Sequence, residues 1–257
     1  MIRVVKIGGH VLDDDAQLRA FCHDFAALEG PKVLVHGGGA FASRLQRALG
    51  MEPVKIAGRR VTDEATLQVV TMACAGWGNK QIVSLLQAEG CPAAGFSGCD
   101  ANLIRARRRA PLEIDGKLVD FGAVGDVTPA SVNVPVLQAL IGQGLVPVLS
   151  PINHDGVGQL LNTNADTVAA SVAAALGAEL TLCFEKDGVL SDAEDPGSVI
   201  PRISQADFAA LKAAGTVSDG MLPKLENAFK ALRQGATGVV IKNAARLLSP
   251  SGTLLVL

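Results

Sequence analysis

Short apolar runs alternate with longer amphipathic stretches along most of the chain, and this alternation restricts the possible folds most strongly. The apolar runs include IRVVKIG, KVLVHG, LVPVLSP, ELTLCFE and TGVVIKN. Uninterrupted apolar runs are typical of parallel strands that are buried on both faces. The repeated order of strand and helix therefore predicts an α/β fold. We expect a three-layer α/β/α sandwich with a mainly parallel, doubly wound sheet.

Several elements can be placed from local signals. We expect one helix to begin at Asp13–Asp15 and to end before Gly30, and a long helix over about 63–89. Asn164 is suited to cap a helix that continues to Leu176, with Gly177 as its stop. Hairpins are predicted around 54–61 and within 103–127.

Length, charge and cysteine content exclude several classes of protein. A chain of 257 residues is long enough for one large domain or for two lobes that share a sheet. The net charge of −2 argues against a general nucleic-acid binder. The basic cluster Arg105–Arg109 lacks interleaved aromatic residues, so we interpret it as a solvated hairpin face. Five cysteines without C-x-x-C spacing predict neither a disulfide framework nor a zinc site.

The location of the protein is also predicted by what the sequence lacks. Its N-terminus, MIRVVKIGG, reads as a strand rather than a signal peptide. No apolar run reaches the roughly 18 residues of a membrane helix. We therefore expect a cytoplasmic protein with no membrane partner.

Glycines follow the first two predicted strands, at the edge of the sheet where parallel α/β folds bind ligands. Gly8 and Gly9 follow the first strand, and Gly37–Gly39 follow the second. The second turn also fits the dinucleotide fingerprint G-x-G-x-x-A. However, the required acidic residue about twenty positions later is missing, because that region reads VKIAGRRV. A dehydrogenase is therefore disfavoured, and a Walker A motif is absent from the sequence.

Two lysines lie near the same predicted edge. Lys6 is placed one residue before its glycine turn, and a buried lysine needs either solvent at the end of the sheet or an anionic partner. Lys224 falls in the first turn of a helix, where a cation opposes the helix dipole. An anion between Lys224 and the helix amides would explain its position.

Polar residues in two further segments are not fully explained by local structure. Asn164 and Asp166 suit the start of a helix, but this leaves Asn162 without a role. Arg60 follows a turn, a position from which arginine can hold a carboxylate with two hydrogen bonds. The four histidines have no metal-ligand spacing, and we interpret His36 as support for the second glycine turn.

Five motifs together resemble the amino-acid kinase family over essentially the whole chain, and within it the N-acylglutamate kinase branch. They are VKIGG, VHGGG, GRRVTD, LNTNAD and SDGMLPK, which begin at residues 5, 35, 58, 161 and 218. The resemblance implies ATP-dependent phosphorylation of the γ-carboxylate of N-acetyl-L-glutamate, which gives N-acetylglutamyl 5-phosphate. This is the second step of arginine biosynthesis in that family.

The resemblance also implies roles for individual residues. The catalytic residues would be Lys6, Lys224 and Asp166, and the substrate would contact Gly38, Gly39, Arg60 and Asn162. The nucleotide would contact Gly8, Gly9, Glu185, Asp187, Gly188, Asp219, Gly220 and Met221, with no choice between Glu185 and Asp187 as the acidic partner. Mg²⁺ would be carried by ATP, without metal ligands from the protein.

The resemblance also has implications for the lobes of the protein, its oligomeric state and the substrate that accepts the phosphoryl group. Residues 1–177 would form an N-terminal lobe for acyl-glutamate binding and dimerisation, and residues 178–257 a lobe for ATP. Because the chain begins at its first strand, we expect a homodimer that is insensitive to arginine. N-succinylglutamate, with Arg59 near the acyl group, and N-acetylaminoadipate stay open as acceptors. So does a non-catalytic binder of nucleotides or small molecules.

Overall fold

The computed structural model describes residues 1–192, 194–217 and 221–257. In chain order the strands are β1 (Arg3–Ile7), β2 (Lys32–His36), β3 (Lys55–Ile56), β4 (Arg59–Arg60), β5 (Ala93–Phe96), β6 (Arg107–Arg108), β7 (Leu112–Ile114), β8 (Lys117–Val119), β9 (Val124–Asp126), β10 (Val146–Leu149), β11 (Ile152–His154), β12 (Leu160–Thr163), β13 (Glu179–Phe184), β14 (Arg202–Ser204), β15 (Gly238–Asn243) and β16 (Thr253–Val256).

The α-helices are α1 (Gly9–Asp13), α2 (Asp15–Ala27), α3 (Gly39–Ala48), α4 (Glu64–Thr71), α5 (Asn79–Ala88), α6 (Val134–Gly142), α7 (Ala165–Leu176), α8 (Gln205–Ala213) and α9 (Leu222–Arg233). A π-helical segment, Met72–Gly78, joins α4 to α5. No helix among the described residues is both long and apolar enough to cross a membrane.

Within the described residues, the main sheet has eight strands in the order β14-β16-β15-β13-β1-β2-β10-β5. Neighbouring strands from β15 to β5 run parallel, and the β16–β14 pair runs antiparallel to them. Strands from both ends of the chain therefore share one continuous sheet, and the predicted mainly parallel topology is confirmed. Its central strand is β1, so the ends of β1, β2 and β13 come together at one edge.

Alternate residues of β1 enter two different cores. Val4 belongs to a core that includes residues of α7 and α9, whereas Val5 and Ile7 belong to a core that includes residues of α2 and α5. Because successive side chains of a strand point to opposite faces, Lys6 shares the face of Val4 and points toward α7. These two cores cover the two faces of the sheet, which confirms the predicted three-layer sandwich.

Helix α7 begins and ends where the sequence predicts. The Asn164 side chain accepts a hydrogen bond from Thr167 N at 3.0 Å, which satisfies one of the free amides of the first turn. Gly177 ends the helix in the left-handed conformation, with φ of 58°. Correct capping matters for the site, because it fixes Asp166 in the first turn of α7.

One expectation about local structure needs correction, and some short elements were not predicted. The helix predicted over 63–89 is interrupted by the π-helical segment, which periodicity alone does not reveal. The helix expected from Asp13–Asp15 is α2, which Asp14 caps by accepting from Ala16 N and Gln17 N, whereas the short α1 before it was not predicted. Strands β11, β12 and β14 are short and carry polar residues, so they lack the apolar signal of the central strands.

Candidate active site

Lys6 and Asp166 form an ion pair at the carboxyl edge of the main sheet. Lys6 Nζ lies 2.7 Å from Asp166 Oδ1, and Lys6 as a whole is only 6% exposed. Asp166 is in the first turn of α7, where the helix dipole favours a negative charge. Lys6 therefore has an anionic partner, and the alternative of extension to solvent at the sheet end is wrong.

The second lysine lies against the same aromatic ring as Lys6. Lys224 Nζ lies 3.9 Å from the centre of the Phe184 ring, and Lys6 Nζ lies 5.4 Å from it. Burial lowers the pKa of Lys224, and the negative charge of Asp166 opposes that effect, whereas Lys6 adds to it. Two cations thus share one nearby carboxylate, an arrangement that favours a further anion.

Backbone amides from the two glycine turns come together beside these cations. A Cβ atom added to Gly9 would lie 3.5 Å from Gly39 N, 3.6 Å from Ala40 N and 3.8 Å from Gly38 N. One added to Gly8 would lie 3.9 Å from Lys6 Nζ. The first amides of α3 have no acceptor inside the helix, so the space next to Gly9 suits an anion such as phosphate. We call the four N–H groups of Gly9, Gly38, Gly39 and Ala40 the amide cluster.

Gly38 has a steric reason to be glycine. A Cβ atom at this position would lie 2.7 Å from Cys74 Sγ, closer than such atoms approach one another in proteins. Burial raises the pKa of the Cys74 thiol to about 12, so the side chain is a neutral packing group. The π-helical segment therefore supports the glycine turn from below.

Arg60 lies against the start of α3. Its Nη2 donates to Gly39 O and to Ser43 Oγ, each at 2.7 Å, and its Nη1 donates to Gln46 Oε1. Burial lowers the pKa of Arg60. These bonds fix the guanidinium next to the amide cluster, where it adds positive charge.

Asn162 reaches the same region from β12. Its Nδ2 donates to Thr62 Oγ1 at 3.2 Å, and Thr62 is fully buried two residues after Arg60. The GRRVTD and LNTNAD motifs, which are a hundred residues apart in sequence, are thus in direct contact. Four predicted substrate-binding positions, Gly38, Gly39, Arg60 and Asn162, are accordingly linked by short contacts.

The predicted nucleotide-binding positions are less closely grouped. Glu185 Oε1 lies 3.4 Å from His10 Nδ1, and both side chains are exposed. Asp187 accepts hydrogen bonds from Asn243 Nδ2 at 2.9 Å and from Arg246 Nη1 at 2.6 Å. A Cβ atom at Gly188 would lie 2.6 Å from Thr253 Oγ1, so this glycine is required by packing.

The last predicted nucleotide contacts belong to the segment before α9. Met221 packs against the core that contains α7 and α9. Asp219 and Gly220, predicted to contact the nucleotide, lie outside the described residues. Of this group, Glu185 also influences the site electrostatically, because its charge raises the pKa of Lys224.

Comparison with known proteins agrees with this arrangement. Residues 1–243 match the model of the family described as "Amino acid kinase family". The chain belongs to the amino-acid kinase family. It is similar to the acetylglutamate kinase of Bacteroides thetaiotaomicron, with 47% identity over 256 residues that cover 98% of this chain and 97% of the relative. The resemblance found in the sequence motifs is therefore confirmed.

Solved structures of amino-acid-kinase folds also superpose on the chain. The smu.665 protein of Streptococcus mutans UA159 has 27% identity and a TM-score of 0.79, with 99% of this chain and 98% of that chain covered. An N-acetylglutamate synthase from Neisseria gonorrhoeae, complexed with coenzyme A and N-acetyl-glutamate, has 24% identity and a TM-score of 0.82. That match covers 100% of this chain and 59% of the synthase, and it supports the fold alone.

Several contacts of this amino-acid kinase site were not predicted from its sequence. Phe184 near both lysines, Cys74 below Gly38 and Thr62 beside Asn162 belong to this group. Phe184 ends β13 at the ligand edge, which is a signal that could have drawn attention to it. Cys74 offers no such signal, because its position depends on the π-helical segment.

The basic cluster of this family member belongs to the second sheet, of order β11-β12-β9-β6, rather than to the site. Its Arg109 is only 15% exposed and pairs with Asp126, while Arg108 pairs with Asp120. The interpretation as a fully solvated face is therefore wrong for Arg109. Elsewhere, among the described residues, no three His, Cys, Asp or Glu side chains come together as a possible metal site.

Proposed function

We propose that this chain transfers the γ-phosphoryl group of ATP to the γ-carboxylate of N-acetyl-L-glutamate, which gives N-acetylglutamyl 5-phosphate. The reaction would be the second step of arginine biosynthesis. The observation that carries the proposal is the meeting of two lysines, one aspartate and the amide cluster at one edge of the sheet. The relatives that bear the name acetylglutamate kinase, with 47% identity over nearly the whole chain, support the choice of acceptor.

The chemical problem is electrostatic, since an anionic carboxylate must approach an anionic triphosphate. A carboxylate is already a nucleophile at neutral pH, so no general base is required. Positioning and charge neutralisation therefore provide the catalysis. Lys6 and Lys224 would neutralise the oxygens of the phosphoryl group in transfer, and Asp166 would hold Lys6 in place through its 2.7 Å contact. Burial lowers the pKa of Lys224, and the charge of Asp166 opposes this effect by favouring the charged form of that lysine.

The amide cluster would bind the same phosphoryl group through uncharged donors. Within it, Gly38 and Gly39 would donate from the start of α3 and Gly9 from the end of β1, and Gly8 would contact the nucleotide phosphates beside Lys6. The absence of Cβ atoms at Gly8 and Gly9 leaves the space that a phosphate would fill, and this observation supports the fit of ATP. Mg²⁺ bound to the ATP oxygens would supply further neutralisation of charge. On the nucleotide side we retain Glu185, Asp187, Gly188 and Met221 as proposed contacts.

The acceptor would be held by Arg60 and Asn162. Arg60 would bind the α-carboxylate, because its guanidinium lies beside Gly39 and its bonds to Gly39, Ser43 and Gln46 use only three of its five N–H donors. Asn162 would bind the amide of the acyl group from its position against Thr62. Glutamate without an acyl group would lack the second contact and carry an extra positive charge.

A trap for the acyl phosphate tests this proposal directly. The protein is incubated with ATP, Mg²⁺, hydroxylamine and one acceptor, and hydroxamate and ADP are measured in parallel. We expect equal amounts of both products with N-acetylglutamate, and much less with N-succinylglutamate, N-acetylaminoadipate, aspartate or UMP. Preference for another acceptor would contradict the assignment of substrate. Tight nucleotide binding without either product would favour a non-catalytic binder instead.

We also propose the larger organisation that the family resemblance implies. Residues 1–177 would bind the acceptor and form a homodimer, and residues 178–257 would bind ATP. The exposed apolar side chains of Met72 and Trp77, five residues apart in the π-helical segment, support a covered surface on the first lobe. The enzyme would act in the cytoplasm. Sedimentation equilibrium would test the proposed dimer.

A further inference from the structure

His36 lies directly below the second glycine turn and is completely buried. Its Nδ1 is 2.7 Å from Gly37 O, and its Nε2 is 3.1 Å from Asn79 Nδ2. A carbonyl oxygen only accepts hydrogen bonds, so Nδ1 carries the proton and donates to Gly37 O. Nε2 is then unprotonated and accepts from Asn79. Each nitrogen of a neutral ring is thereby satisfied.

The side-chain amide of Asn79 makes hydrogen bonds through both its nitrogen and its oxygen. Its Nδ2 also donates to Val148 O at 3.0 Å, and its Oδ1 accepts from Lys80 Nζ at 3.2 Å. A Cβ atom at Gly95 would lie 1.9 Å from Asn79 Oδ1, so the strand next to it leaves room for this amide. With its amide orientation set in this way, Asn79 presents a donor to His36 and selects the Nδ1–H tautomer.

The π-helical segment brings Asn79 into line with the glycine turn. Asn79 N donates to Cys74 O, a hydrogen bond that spans five residues. In an α-helix, residues five apart are about 140° apart around the axis, whereas the i→i+5 hydrogen bond of the π turn brings them closer to one side of the helix. Cys74 therefore supports Gly38 and Asn79 supports His36 from one side of one helix.

The hydrogen bond to Gly37 O has a consequence for the neighbouring amide. The carbonyl of Gly37 and the N–H of Gly38 belong to the same planar trans peptide, in which they point in opposite directions. Holding the carbonyl on His36 therefore aims the N–H of Gly38 away from His36 and into the amide cluster. We infer that His36 and Asn79 form a positioning pair that fixes the Gly38 N–H for the phosphoryl group. This inference rests on the proposed kinase function of the site.

Two substitutions of His36 separate positioning from packing, because His36→Asn removes more volume than His36→Gln but keeps the donor to Gly37 O. In His36→Asn the amide nitrogen occupies the place of Nδ1 and can still donate to Gly37 O, whereas in His36→Gln it occupies the place of Nε2 and cannot. We expect kcat of His36→Asn to stay within about threefold of the unmodified protein. His36→Gln should lose about 10- to 100-fold in kcat with little change in KM, since an aimed transition-state donor is lost. Equal kcat values for the two variants at equal folded fraction would overturn the inference.

Asn79→Asp gives a second readout that packing alone would not change. Aspartate can only accept, so a neutral His36 would place its proton on Nε2 and lose the bond to Gly37 O, whereas a protonated His36 would donate to both partners. Lys80 is the charged group in contact with the pair. The neighbouring elements contribute uncharged groups: the carbonyl of Gly95 from β5, the carbonyl of Val148 from β10 and the apolar side chain of Leu12 from α1. We expect kcat of Asn79→Asp to rise as the pH is lowered from 8 to 6, and a flat profile would contradict the assigned tautomer.

The unmodified protein is measured first in the same hydroxamate assay. If it forms no acyl phosphate with N-acetylglutamate, the proposed function fails and the variants are not interpreted. If it is active and His36→Gln equals His36→Asn, the positioning pair fails while the function stands.

Discussion

The glycine turn after β2 and the turn after β13 lie at the same edge of one sheet but are built differently. Gly37 and Gly38 rest on His36, Cys74 and Asn79, which are all buried. After β13, the side chain of Glu185 is 71% exposed and contacts another exposed side chain, that of His10. A site that acts through backbone donors needs a rigid support, because the direction of a backbone N–H is set by the groups that pack against its peptide. A site that contacts a nucleotide through surface side chains has no such requirement.

The largest expected effect is the loss of one of the two cations of the site. We expect Lys224→Ala to reduce kcat by about 10²–10³-fold, by comparison with the removal of other transition-state donors. Lys224→Arg keeps the charge and serves as the matched control, with a smaller loss. Steady-state kinetics with ATP and N-acetylglutamate check this, and near-normal turnover of Lys224→Ala would remove the lysine from the mechanism.

The buried histidine should leave a signature in stability rather than in the pH dependence of activity. Burial lowers the pKa of His36 from 6.5 to about 4, so between these values the unfolded chain binds a proton that the folded chain does not. Stability is therefore lost as the pH falls through this range, by about 3 kcal/mol in total at about 1.4 kcal/mol per pH unit. Denaturant unfolding of the unmodified protein and His36→Asn at pH 7.5 and 4.5 measures it. The difference in unfolding free energy between the unmodified protein and His36→Asn should be smaller at pH 4.5 than at pH 7.5.

The activity of the unmodified protein should show no acid limb near pH 6.5 that depends on His36. A limb there that disappeared in His36→Asn would mean that the ring titrates in the folded state. Water would then reach the His36 ring below the glycine turn more readily than its burial indicates.

Close packing below Gly38 gives a prediction of intermediate size. Gly38→Ala places a Cβ atom 2.7 Å from Cys74 Sγ and should destabilise the protein by about 1–3 kcal/mol, with a fall in kcat as the turn moves. Cys74→Ala removes the clashing sulfur, so the double variant should recover much of both losses. A double-mutant cycle with no coupling would show that the π-helical segment does not support the turn.

The smallest effect is expected at the exposed turn. Asp187 pairs with Arg246, which is 60% exposed, and such pairs contribute up to about 1 kcal/mol. Asp187→Asn should therefore change stability by less than that and kcat by less than about threefold, with Glu185→Gln as the neighbouring control. A tenfold rise in the KM for ATP in one of them would identify the acidic nucleotide contact.

Most of the ligand edge could be predicted from sequence because its residues obey local rules. Lys6 follows from strand periodicity, Asp166 from the capping of α7 by Asn164, and Gly38 and Gly39 from a strand that runs into a helix. The elements that were not predicted lack a regular pattern of apolar residues. The π-helical segment contains Gly76 and Gly78, which weaken a helix but do not specify a π turn, and β11 and β12 are too short and polar to show alternation.

The sequence by itself determined the class of fold, the position of the anion-binding turns and the identity of the two lysines. Each depends on interactions between near neighbours along the chain: alternation, capping and the conformations open to glycine. Tertiary structure alone decided that Lys6 meets Asp166, that Asn162 meets Thr62 and that His36 meets Asn79. These partners are 43 to 160 residues apart, and no local propensity encodes such a contact. It exists because packing in three layers brings the carboxyl ends of distant strands and the starts of distant helices to one edge.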